Sequence, residues 1–414
     1  MRLRAATLVA VLAAVLTLPA SARNGSLLAA WTQVGRGGTL LARAIVRGPC
    51  PGIAIDGRTL PMHLRAAPGP AFAVSSCEAA IPSGAHRVSL QARALPLPPT
   101  HLRTIAVLGD TGCRIEIIFI QACNDPAKWP FPTLARSIAA AHPDLVIHVG
   151  DYYYRETACI APGCAGSPHG DNWPVWAADF FVPAAPMLAA SPMLFVRGNH
   201  EDCARGGLGW DRFLSVYSYG SCAAHEPAYP AHVGGLRFFV IDSSSAIDPR
   251  PSARLVPAFR GDFARLRALP RAPTWLLTHR PLWGIAGTPM GVTLPINRTL
   301  EAAEGNPRTL PIALALSGHI HLFEALTFAD RRPPQIIVGT GGDTLSDLPG
   351  HFIGERIDGT RVAGGTIRHA FGFAIFHVDR HAFDVYDRTG AKVLACRYGA
   401  GAVRCSSELS RNGS

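Results

Sequence analysis

The sequence predicts an α/β fold with buried parallel strands, preceded by a small all-β region, and three observations lead to it. First, five apolar runs end abruptly in a residue of the kind that binds metals: 105–108 ahead of Asp110, 145–149 ahead of Asp151, 193–196 ahead of Asn199, 275–278 ahead of His279, and 312–316 ahead of His319 and His321. Short continuous apolar runs of this sort read as strands covered on both faces. Second, residues 131–142 lie between the first two runs and repeat Leu134, Ile138 and Ala139 at helical spacing, which gives strand, helix, strand. Third, residues 26–99 contain only short β-like pieces, such as 40–46 and 87–90, broken by Gly and Pro.

Each remaining element follows from local composition. Residues 1–22 carry Arg2 and Arg4, an apolar stretch over 5–18 and the small-residue site Ala20-Ser21-Ala22, the pattern of a secretory signal. Residues 23–100 are expected as a small all-β domain, 101–405 as the α/β domain that carries the five strand ends and 406–414 as a polar tail. Residues 155–173, rich in Cys, Gly, Pro and Asp, read as a long loop after Tyr154, and 175–188 as mostly helix whose Trp176, Phe180 and Phe181 serve the core. The turn Gly339-Thr340-Gly341-Gly342-Asp343 lacks the lysine and the following helix of a phosphate loop. Asp242, after another apolar strand, reads as a turn cap.

The ten cysteines fall into sequence-local neighbours: 50 with 77, 113 with 123, 159 with 164, 203 with 222, and 396 with 405. An even count without a CxxC pattern suits disulfides formed outside a reducing cytoplasm, although spacing alone does not fix the connectivity. The net charge of +10 favours anionic substrates, but Lys128 and Lys392 are the only lysines and no basic run suggests nucleic-acid binding.

In open α/β sheets the working site lies beyond the carboxyl ends of the strands, so the five strand ends can converge. Hard oxygens mixed with imidazoles suit a pair of transition ions such as Fe, Mn or Zn, and hence a dinuclear hydrolase. Two ions need a ligand that reaches both, and the Asp151 carboxylate is the central candidate. His319 and His321, two apart on extended backbone, face the same way.

The order of these motifs resembles the calcineurin-like metallophosphoesterases, and within them the purple acid phosphatase branch. GDxG is met by Asp110 and Gly112, GDxxY by Asp151 and Tyr154, and GNH(D/E) by Asn199 to Glu201. His279 follows an apolar strand, and His319 with His321 completes GHxH. The resemblance covers roughly residues 100 to 390 and implies an α/β/β/α sandwich. It implies one metal on Asp110, Asp151, Tyr154 and His321, and a second on Asp151, Asn199, His279 and His319, with iron paired with iron, zinc or manganese. It places His200 over the site as a catalytic group without making it a ligand.

Arg280 and Glu201 are candidates for substrate contact, and for Arg280 a simple pairing with a surface acid is the alternative. The expected substrate is a small phosphomonoester. A diester or nucleotide substrate on the same fold is one alternative, and a silent phosphate- or metal-binding protein another. No nucleic acid is expected, nor membrane attachment after signal cleavage, and the sequence leaves the oligomeric state open.

Overall fold

The computed structural model describes residues 25–270, 272–290 and 293–407. The expected signal over 1–22, and the expected tail from residue 408 on, lie outside the described residues.

Two large sheets pack face to face. In the first, of eleven strands, Thr104–Leu108, Leu145–His148 and Met193–Phe195 run parallel at its centre. In the second, of eight strands, Leu236–Val240, Thr274–Leu277, Leu314–Ser317 and Gln335–Val338 run parallel. The period of two along each strand explains the layering. Ile105, Val107, Leu145 and Ile147 meet Phe238, Val240, Trp275, Leu277, Leu314 and Leu316 in one core between the sheets. The intervening residues point outward. Ala106, Leu108 and Val146 pack under Phe131, Leu134 and Ile138 of the helix Phe131–Ala140. Phe239, Leu276 and Ala315 pack under Phe259, Phe263 and Leu266 of the helix Val256–Arg267. The result is the expected α/β/β/α sandwich.

Helix limits follow from their punctuation. Phe131–Ala140 opens with Pro132 in its first turn and stops before His142, at φ 47°, and Pro143. Arg298–Glu304 is capped by the Asn297 side chain, which accepts from the amides of Thr299 and Leu300, and ends at Gly305 with φ 73°. The segment 175–188 is mostly helical as expected, divided into Trp173–Trp176, a wider turn over Ala177–Phe181, and Ala185–Ala190. Trp176, Phe180 and Phe181 are buried there in an aromatic cluster, as core residues.

The N-terminal region is built from strands and one short 3-10 turn, and it is continuous with the first sheet. Ser26–Val34 pairs in parallel with Met193–Phe195 and carries Leu40–Arg47, Ser75–Ile81 and His63–Ala66 beside it. A four-stranded sheet of Gly52–Ile55, Arg58–Pro61, Val88–Leu90 and Arg93–Leu95 covers these strands through Ala44, Val46, Ile53 and Leu90. All ten cysteines form disulfides, in the five sequence-local pairs. Among the described residues no helix is long and apolar enough to cross a membrane.

Candidate metal centre

The carboxyl ends of the central strands of both sheets meet at one edge, and the chain leaves three of those ends in an unusual conformation. Asp110, Asp151 and His319 have φ of 58°, 59° and 71°, a left-handed geometry that costs a non-glycine residue energy and that clusters at functional sites. Glycines make the close approach possible. A Cβ on Gly198 would lie 2.0 Å from Asp151 Oδ1, and one on Gly318 would lie 2.4 Å from Asp110 Oδ2.

Seven expected residues gather there in two groups. In the first, the Tyr154 hydroxyl lies 2.7 Å from Asp151 Oδ2, 3.1 Å from His321 Nε2 and 3.4 Å from Asp110 Oδ1, and His321 Nε2 is 3.3 Å from Asp110 Oδ1. In the second, His279 Nε2 lies 3.1 Å from both Asn199 Oδ1 and Asp151 Oδ2, and His319 approaches Asp151 and His279. Asp151 belongs to both groups through one oxygen: Oδ2 faces Tyr154 and His279, while Oδ1 accepts the His200 amide at 2.9 Å.

The imidazoles are held from behind. His279 Nδ1 is 2.8 Å from the Val149 carbonyl and His321 Nδ1 is 2.8 Å from the Thr344 carbonyl, so each turns Nε2 inward. His319 is reversed: Nε2 meets Asp248 Oδ2 at 2.9 Å, which leaves Nδ1 for the cluster.

Carboxylates, imidazoles, an amide oxygen and a phenol, nearly all buried, form a donor set that fits a pair of hard-to-borderline cations. The electrostatics agree. Burial opposes charge on His279 and His321, yet Asp151 for the one, and Asp343 with Asp110 for the other, hold both up at about 9. Burial together with Asp151 and Asp110 pushes the Tyr154 phenol well above its usual range. Bound cations would reverse that balance, replacing the imidazolium protons and favouring phenolate.

His200 stands beside the groups. Its Nε2 lies 3.9 Å from Asp151 Oδ2, its Nδ1 is 2.8 Å from Glu156 Oε1, and its ring centroid is 3.8 Å from that of Tyr154. Burial outweighs Asp151 and keeps the imidazole neutral. Glu116, Glu156 and His200 also have the spacing of a cation site, but the Arg205 guanidinium already lies 2.6 Å from Glu116 and 2.7 Å from Glu156.

Two expected substrate contacts find different partners. Glu201 is fully buried, and its carboxylate accepts the amides of Gly198, Asp151, Tyr152 and Tyr153, so it clamps two strand ends together and has no surface to offer a ligand. Arg280 pairs with Asp248 and reaches His319 Nε2 at 2.8 Å, the acid-pairing alternative. Asp242 caps its turn, accepting from Ser244 and Glu226 amides and pairing with Arg197.

Residues that the motif reading did not single out complete the surroundings. Asp343 ends the turn after Gln335–Val338, approaches His321 Nδ1 at 3.4 Å and binds Arg114, whose guanidinium lies 4.9 Å from the centre of the Tyr154 ring. Asp248 and Glu156, which back His319 and His200, come from loops.

In fold the chain is similar to a purple acid phosphatase from yellow lupin (Lupinus luteus) seeds, at 14% identity and a TM-score of 0.56, covering 92% of this chain and 74% of that one. It is also similar to PhoD, at 11% identity and a TM-score of 0.53, covering 92% of each. No curated protein matches it in sequence. The sequence pattern of calcineurin-like phosphoesterases matches residues 103–323, just over half of the chain, and the protein belongs to that family.

Proposed function

We propose that this protein is an exported phosphomonoesterase of purple acid phosphatase type. Asp110, Asp151, Tyr154 and His321 would hold one metal ion, and Asp151, Asn199, His279 and His319 a second, iron being paired with iron, zinc or manganese. The single observation that carries this reading is the position of Tyr154, whose hydroxyl stands among Asp110, Asp151 and His321. When bound, such a pair supplies Lewis acidity to the phosphoryl oxygens and a nucleophile at neutral pH.

The chain's own groups do the rest. Water oxygen bonds to phosphorus as the bond from phosphorus to the alcohol oxygen breaks, and the departing oxygen needs a proton. His200 Nδ1 lies 2.8 Å from Glu156, whose carboxyl burial pushes up to about 7, so a proton passed from Glu156 to Nδ1 would let the imidazole give its Nε2 proton to that oxygen. Export is supported by the five disulfides and the expected signal.

The test is metal analysis of the purified protein together with turnover of a panel of phosphate mono- and diesters. Two metals per chain and faster monoester turnover support the reading. Preferred diester turnover reassigns the substrate, and metals without turnover of either leave a binding protein. Thiol titration in denaturant without reductant checks the compartment: two or more reactive thiols per chain contradict export.

A further inference from the structure

Between Asp110 and the helix Phe131–Ala140 the chain makes an excursion closed by the Cys113–Cys123 disulfide, a hairpin of Ile115–Glu116 with Phe119–Ile120. Its turn residues are Ile117 and Ile118, and Ile117 has φ of 36°. That position of a two-residue turn favours glycine, and a β-branched residue is costly there. Ile117, Ile118 and Phe119 are nevertheless 73%, 80% and 62% exposed. The hairpin is held in place, since the Ile117 amide donates to Thr157 Oγ1 at 2.9 Å and Gln121 bonds back to Arg114. An apolar tip kept at a conformational cost, on a clamped support, points to contact with a ligand.

The hairpin forms one wall of a cleft of about 490 Å³, through Ile118, Phe119 and Ile120. His321, Thr344 and Ser346 also line it, so the cleft reaches the metal-ligand groups, and its volume is that of a small-molecule site. Its two charged members are already engaged. Arg114 pairs with Asp343 and Glu116, and Glu116 pairs also with Arg205. Apart from Thr344 and Ser346, the surface left to bind the remainder of a substrate is the aliphatic and aromatic wall of Ile118, Phe119 and Ile120.

We infer that this cleft takes the alcohol part of the phosphoester, and that the substrates are esters with an extended alkyl or aryl group. The inference rests on the phosphoesterase reading above, in which the phosphoryl group would lie at the metal pair that His321 helps to hold. Ethyl and hexyl phosphate test it, because their leaving alcohols have nearly equal acidity and differ only in apolar length. For the wild type, kcat/KM for hexyl phosphate exceeds that for ethyl phosphate by roughly tenfold or more, the discrimination a hydrophobic pocket achieves. Replacing both Ile118 and Phe119 by Ser brings the ratio towards one with the melting temperature unchanged, while Phe119→Leu retains it. Calorimetric binding of the same two esters to the metal-loaded protein reads the preference without turnover. Tighter hexyl binding with no turnover of either ester would overturn the phosphoesterase reading and keep the cleft. Equal values for the two esters in wild type, or an undiminished preference in the double variant, would overturn the cleft assignment.

Discussion

Glu156 Oε1 lies 2.8 Å from His200 Nδ1, and this contact separates His200 from the residues placed as metal ligands. Asn199 presents its side-chain oxygen to His279 on the same strand end, so the ligand position there is filled without His200. His200→Ala is therefore expected to retain both metals and to lose roughly 10²–10⁴ in turnover, the range for a positioned acid–base group. Elemental analysis beside kinetics decides the matter, since loss of metal in the variant would make His200 a ligand.

Tyr154 leads to a spectroscopic expectation. A phenolate is a hard anionic oxygen that favours trivalent iron, and the hydroxyl stands 2.7 Å from the carboxylate oxygen shared by both ligand groups. Protein loaded with iron should absorb visible light through phenolate-to-iron charge transfer, and Tyr154→Phe should bleach the band while the fold and the second metal persist. An unchanged band in the variant would remove Tyr154 from the ligands.

Much of this site was legible because strand ends write it in one-dimensional form: an apolar run, a glycine, then a ligand. Asp110, Asp151, Asn199 and His319 follow that rule, His321 comes two residues later, His279 follows its run with Thr278 in the glycine's place, and all six meet at one edge. Asp343 follows it too, after Gln335–Val338, and passed as a mere turn because no motif framed it. Asp248 and Glu156 carry no local signal, as each reaches its histidine from a loop whose path depends on tertiary packing. Glu201 shows the opposite failure. It neighbours catalytic positions in sequence, but its side chain turns into the framework and accepts four backbone amides. The wide turn over Ala177–Phe181 was hidden because buried aromatics at near-helical spacing fit either winding.

A buried carboxyl away from the metal ligands sets a pH dependence of stability. Glu324 is fully buried in the strand Phe323–Phe328, accepts the Ile285 amide, and is pushed up to about 8 by burial. Its folded pKa exceeds its unfolded one, so its contribution is fully present below about 4.5 and is lost as pH rises to about 8. Glu324→Gln keeps an acceptor for Ile285 and removes the ionisation. The metal-free variant should lose less melting temperature than wild type between about pH 5 and about pH 8, by at least about 2 °C. Parallel pH slopes for the two proteins would place the dependence elsewhere.

The sharpest test of the site's outer support is Asp248. Its Oδ2 lies 2.9 Å from His319 Nε2, and Arg280, bound to the same carboxylate, lies 2.8 Å from that nitrogen; with the Nε2 proton given to Asp248, Nδ1 is left facing inward. The carboxyl is held down at about 2: burial works against this, but His319 and then Arg280 outweigh it, so it stays ionised at any working pH. An outer carboxylate of this kind fixes the tautomer of a ligating imidazole and raises its basicity, and its loss typically costs 10- to 100-fold in metal affinity. Asp248→Asn should accordingly weaken the metal held with His279 and His319 by about that factor, and leave the metal beside Tyr154 and its absorption band in place. Competition with a chelator, followed at both the band and the total metal content, separates the two sites. Equal weakening of both metals would mean that Asp248 supports the edge as a whole, and an unchanged affinity would mean that His319 needs no acid behind it.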